Sequence, residues 1–230
     1  MAGKVEIIPA ILVRSREAIH KAAQSVVLFA KTVQLDVVDG LFNSNLTWPY
    51  ENAGVIAEGF DELALPSLAE LFWEVHVMTQ KPQALGEKFI AMGSKRIIGH
   101  IEALGNADIA REVFEAWHAA GAQVGISLLL DTPISAIEEL IHDVDVVQVM
   151  SIAEIGSQGY TFDARATVRI RELRNRYPHI VIAVDGGVNA ANAPELVAAG
   201  ANRLCIGSAI LKAEDPRAAY DEIMRAMQTP

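Results

Sequence analysis

The sequence predicts an α/β protein folded as a single (β/α)8 barrel over residues 1–230, and three observations predict it. Short runs rich in Val, Ile and Leu recur eight times, each followed by a longer connection. The runs are almost continuously apolar, as strands covered on both faces of a parallel sheet must be. No G-x-G-x-x-G follows the first run, which disfavours an open dinucleotide-binding sheet.

Taken in order, EIIPAIL (6–12) is the first strand, and apolar residues at helical spacing predict a helix from Arg16 to Ala30. TVQLDVV (32–38) is the second strand, followed by a long turn-rich connection to the third, FWEVHVM (72–78). A helix from Gln83 to Met92 leads to KRIIGHI (95–101), and one from Ala107 to Ala120, stopped by Gly121, leads to QVGISLLL (123–130). Ile134 to Ile141 is the next predicted helix, before the sixth strand, VDVVQVM (144–150). A second long connection and a helix from Asp163 to Tyr177 precede IVIAVD (180–185). The helix from Asn192 to Ala199 stops at Gly200, and RLCIG (203–207) is the eighth strand. Asp215-Pro216 starts the last helix, to Met227, with a cap and a proline at the first position. Both long connections place their extra residues past a strand's carboxyl end, the reactive face of such a barrel.

Composition narrows the function. With 51% hydrophobic and 21% charged residues the chain reads as a soluble globular protein with a substantial core. A net charge of -10 disfavours non-specific binding to nucleic acid or anionic membranes, yet leaves room for a small anion held by local backbone donors. The amino terminus lacks a secretory pattern and no apolar run reaches transmembrane length, so a cytoplasmic protein is expected. The lone cysteine, Cys205, excludes an internal disulfide and a cysteine-rich zinc site; it reads as a small buried strand residue.

Candidate chemistry gathers at the strand ends. Gln34 and Asp36 share one face of the second strand, inside an apolar run where an unpaired carboxylate costs several kcal/mol. His76 lies near the end of the third strand, and Asp185 ends the seventh. In a ring of eight, the second and seventh strands are three steps apart, so Asp36 and Asp185 face each other across the mouth. Asp39-Gly40 reads as a turn. Gly186-Gly187 and Gly207-Ser208 follow the seventh and eighth strands, where barrel loops present N–H groups to a phosphate, and IGSQG, with Gly156, Ser157 and Gln158, could close over the same anion. His100 and Glu102 share a face of the fourth strand and either line the cavity or bond internally. Trp48 and Tyr50 either cap the pocket or pack the second loop down.

PAIL, LDVVDG followed by NLT, EVHVM, GHIEA, VMS, AVDGGVNAANAPELVAAGA and GSAI resemble, in order and spacing, the ribulose-phosphate 3-epimerases across nearly the whole chain. The resemblance implies an enzyme that interconverts D-ribulose 5-phosphate and D-xylulose 5-phosphate by metal-assisted proton transfer at carbon 3. It implies Asp36 and Asp185 as the acid/base pair and a divalent cation (Zn, Fe, Mn or Mg) held by Asp36, His76 and Asp185. Val38, Met78 and Met150 match positions lining the pocket, and relatives usually assemble as homo-oligomers. Three positions depart from the family. Gln34 stands where a histidine ligand is usual, so an amide oxygen would be a weaker metal ligand. Ala10 replaces a serine that contacts substrate, and the sixth loop reads AEIGSQGYTF instead of N-P-G-F-G-G-Q. A related substrate such as a ketohexose 6-phosphate, or a non-catalytic phosphosugar-binding barrel, are the alternatives. A decarboxylase of the D-x-K-x-x-D type is disfavoured because Val38 stands where its lysine would be.

Overall fold

A computed structural model of the chain describes residues 5–153, 155–156 and 159–228. Strands form at Glu6–Ile11, Thr32–Val38, Phe72–Met78, Arg96–His100, Gln123–Leu128, Val146–Met150, Ile182–Asp185 and Arg203–Ile206. They pair in parallel in chain order, and the first pairs with the eighth (Glu6 with Arg203, Pro9 with Ile206), closing a TIM barrel. All eight predicted runs are strands.

Helices cover the outside, and local chemistry sets most of their ends. Ser15 caps Arg16–Val26 by accepting from the Ala18 N–H, Asn106 caps Ala107–Ala119 through Ile109, and Asp215 caps Pro216–Ala226 through Arg217 and Ala218. Gly200 ends Ala193–Ala199 in the left-handed region, φ 117°. Two expectations change. The first helix ends at Val26, because the Phe29 and Ala30 N–H groups both turn back to the Val26 carbonyl and deliver the chain to the second strand. Ile134–Leu140 winds as a 3₁₀ helix, whose three residues per turn put the buried Ile134, Ile137 and Leu140 on one edge.

The second connection holds a short antiparallel ribbon, Tyr50–Asn52 with Val55–Ile56. Trp48 packs edge-on against Phe60 and Phe89, centroids 5.7 and 5.9 Å apart, so it pins this loop to the barrel wall and does not cap the mouth. Thr47 stitches the loop to the second strand: its Oγ1 accepts from the Val38 N–H at 2.9 Å and donates to the Asp36 carbonyl at 3.1 Å.

Inside the barrel, Ile8, Ala10, Ile98, Val146, Ala183 and Cys205 form a small apolar cluster. Toward the amino-terminal ends of the strands the interior closes with charge. The fully buried Glu74 receives Arg96 at 2.6 Å and Arg203 at 2.7 Å, and Arg203 also meets Glu6 at 3.3 Å. This floor leaves the opposite end as the open face. None of the described helices is long and apolar enough to cross a membrane.

Candidate active site

Strand register places the acidic groups. Asp36 lies level with His76 on the neighbouring third strand, and Asp185 lies level with Met150 on one side and Cys205 on the other. Asp36 and Asp185 are 5% and 8% exposed and His76 is fully buried. His76 Nδ1 lies 3.4 Å from Asp36 Oδ1 and 3.3 Å from Asp185 Oδ2. Two carboxylates from opposite ends of the sequence thus share one imidazole.

Electrostatics follows from this crowding. Burial, with the Asp185 carboxylate beside it, pushes Asp36 up to about 6. Burial pulls the His76 imidazole down, but its bonds to Asp185 and Asp36 outweigh that and raise it to about 9. In the metal-free site, a proton on His76 is what makes the buried carboxylates tolerable.

The same atoms suit a cation. Asp36, His76 and Asp185 each offer one ligand atom, all within 4.8 Å of one another. Ligands about 2.0–2.1 Å from a tetrahedral zinc stand roughly 3.3–3.4 Å apart, the spacing His76 keeps from each carboxylate. Three protein ligands with an open position is the pattern of a catalytic site.

Gln34 corrects one expectation. Its amide nitrogen, not its oxygen, faces the cluster, donating at 2.8 Å to both Asp36 Oδ1 and Asp185 Oδ2. A nitrogen with no lone pair to give cannot ligate, while two carboxylates attract N–H donors and repel an amide oxygen. The oxygen points instead to the Cys205 thiol, which donates to it at 3.2 Å. Gln34 therefore braces the two carboxylates.

Above the cluster opens a cavity of about 190 Å³. Asp36, Asp185, Met78, Met150, Gly156, Gly186, Gly187, Gly207 and Ser208 line it. Val38 is not among its walls; it is fully buried and packs with Met78, Met150 and Ile152, supporting the lining from behind. Ser157 and Gln158 lie outside the described residues. Gly187 needs to be glycine: its φ is 65°, and a Cβ there would stand 2.7 Å from the Phe162 nitrogen, so the sixth loop rests on it. Ala10 faces the cavity, so the hydroxyl missing there is missing from the site. Asp39 performs turn chemistry, with Oδ1 accepting from Leu41 and Phe42 and Oδ2 from Gln80.

Several contributors escape the motif reading. Gln148, a polar residue in an apolar strand two before Met150, donates to Asp185 Oδ2 at 3.2 Å; its setting mirrors that of Gln34 and is visible in the sequence. Cys205, Tyr160 and Asn189 also line the cavity. The fourth strand ends at His100, so Glu102 stands on the short helix Ile101–Leu104 and not on the strand face expected for it. His100 is fully buried behind His76 and is not among the cavity walls.

The profile of the ribulose-phosphate 3-epimerase family matches residues 6–211. The ribulose-phosphate 3-epimerase of Treponema pallidum (strain Nichols) is 34% identical over 184 residues, 78% of each chain. That of Aquifex aeolicus (strain VF5) is 33% identical over 190 residues, 81% of this chain and 80% of the relative. Among solved structures, a 3-hexulose-6-phosphate synthase superposes with a TM-score of 0.71 at 19% identity, covering 96% of this chain and 99% of that one. KGPDC from Streptococcus mutans gives 0.73 at 12% identity, covering 98% of both chains. At these identities the structural likeness shows the fold alone.

Proposed function

The chain belongs to the ribulose-phosphate 3-epimerase family, and from that premise we propose that it interconverts D-ribulose 5-phosphate and D-xylulose 5-phosphate by inverting carbon 3. The observation that carries this reading is the convergence of Asp36 and Asp185 on one small cavity with His76 between them. Inverting a carbon beside a ketone requires a proton removed on one face and another delivered on the opposite face, so two acid/base groups must flank the substrate. Asp36 and Asp185 come from strands three steps apart around the ring and fit those roles. Without a cation, burial beside Asp185 raises Asp36 to about 6, and a cation shared by the two carboxylates would lower it again. Gln34 and Gln148 hold the carboxylates in place. Gly186, Gly187, Gly207 and Ser208, at the ends of the seventh and eighth strands, are placed to hold the phosphate. A divalent cation on Asp36, His76 and Asp185 would stabilise the charge that develops on the enediolate oxygens. A homo-oligomer in the cytoplasm completes the reading.

The test incubates the protein with D-ribulose 5-phosphate in heavy water, with and without added Zn²⁺ or Mn²⁺, and follows the carbon-3 proton by NMR. Exchange with appearance of D-xylulose 5-phosphate is expected, and its absence in all conditions overturns this substrate. Ala10 at the cavity favours a second reading, a larger ketose phosphate such as a ketohexose 6-phosphate, since losing a hydroxyl enlarges the site and removes a donor. A panel of ketose phosphates, compared by kcat/KM, separates the two.

A further inference from the structure

Behind the cation cluster runs a line of hydrogen bonds that the proposed proton transfer does not use. His76 Nε2 lies 2.9 Å from His100 Nε2, His100 Nδ1 lies 3.1 Å from Glu102 Oε2, and both rings are fully buried. The other Glu102 oxygen accepts from the Leu129 N–H at 2.8 Å and from the Thr132 hydroxyl, so the fifth strand's loop holds the carboxylate still. The Phe42 ring packs on His100 at 5.1 Å.

The direction of every bond in this line is dictated from one end. A carboxylate only accepts, so His100 Nδ1 carries the proton it donates to Glu102. In a neutral His100 the Nε2 is then an acceptor, and a 2.9 Å contact between two Nε2 atoms needs a single proton between them. That proton must sit on His76 Nε2. With Nε2 holding that proton, the nitrogen that exchanges its proton for a cation is Nδ1, the atom facing Asp36 and Asp185.

We propose that Glu102 and His100 are positioning residues that select the His76 tautomer able to ligate a cation through Nδ1. Carboxylates that orient metal-bound histidines usually do so directly; here a second histidine relays the orientation from the rim of the barrel. This rests on the reading of Asp36, His76 and Asp185 as a cation site.

The test measures Zn²⁺ affinity by competition with a chromophoric chelator, for the unsubstituted protein and for Glu102→Gln and His100→Phe. It also measures ¹⁵N shifts of both imidazoles in the Zn²⁺-loaded unsubstituted protein by long-range ¹H–¹⁵N correlation. His76 protonated at Nε2 with Zn²⁺ on Nδ1, His100 protonated at Nδ1, and affinity reduced roughly 10- to 100-fold in the variants are expected. The opposite His100 tautomer, or affinities within twofold of the unsubstituted protein, overturns the relay alone. Failure of the unsubstituted protein to bind Zn²⁺ overturns the cation site and the relay together. The shift measurement needs no variant, so a substitution that prevents folding leaves the relay open to disproof.

Discussion

Gln34, where the family resemblance implies a histidine ligand, offers the two carboxylates N–H donors at 2.8 Å. A cation competes with those donors for the same oxygens. Gln34→His replaces a brace with a ligand, so Zn²⁺ should bind more tightly in the variant, read by chelator competition. Asp185→Asn removes one of the two proton carriers while leaving a side chain of the same shape. Carbon-3 exchange should fall by about 10²- to 10⁴-fold, measured by NMR in heavy water. Both positions stand out in the sequence as polar residues in apolar runs, and Gln148 stands out equally well. Which amide atom faces the acids is not legible there, because it depends on Asp185 and Cys205, remote in sequence and adjacent only in the ring.

Strands and their order were readable because burial on both faces writes a continuous apolar run, and a closed barrel leaves no edge strand with a different pattern. The 3₁₀ winding of Ile134–Leu140 was not, since apolar residues three apart satisfy either helix. The charged floor was also hidden. Glu6, Glu74, Arg96 and Arg203 lie on four different strands and meet only when the ring closes, where they close the barrel interior. Arg203→Ala leaves the fully buried Glu74 with only Arg96, and should cost about 3–5 kcal/mol in urea denaturation. Activity per folded molecule should change little, because the floor lies at the end of the barrel away from the cavity.

Folding and cation binding are linked through the acidic cluster. Asp36, raised to about 6, contributes stability that is full below about 4 and lost as pH rises through 6; His76, raised to about 9, contributes stability full below about 6.5 and lost as pH rises through 9. Both signs agree, so this cluster makes the metal-free protein less stable at pH 9 than at pH 6. Deprotonated ligands bind a cation better, so its stabilising effect should grow over the same range. At a free Zn²⁺ concentration a hundred times the dissociation constant the gain is about 2.7 kcal/mol. For a chain of this length that lifts the thermal midpoint by about 5–10 °C, a shift that a chelator should reverse. On the acid side, burial holds His100 down to about 4, and the bonds Glu102 receives outweigh its burial and hold it near 2. Their contributions are full above about 6.5 and 4.5 and are lost as pH falls through about 4 for His100 and about 2 for Glu102. The sequence by itself determined the barrel, the strand that carries each acid and the family, because each is written in local periodicity and short motifs. Only the tertiary structure decided which atoms meet: the amide of Gln34 turned toward the acids, Val38 withdrawn behind the cavity, and His100 set between His76 and Glu102. Such contacts depend on closing the ring, which brings together side chains that no local pattern relates.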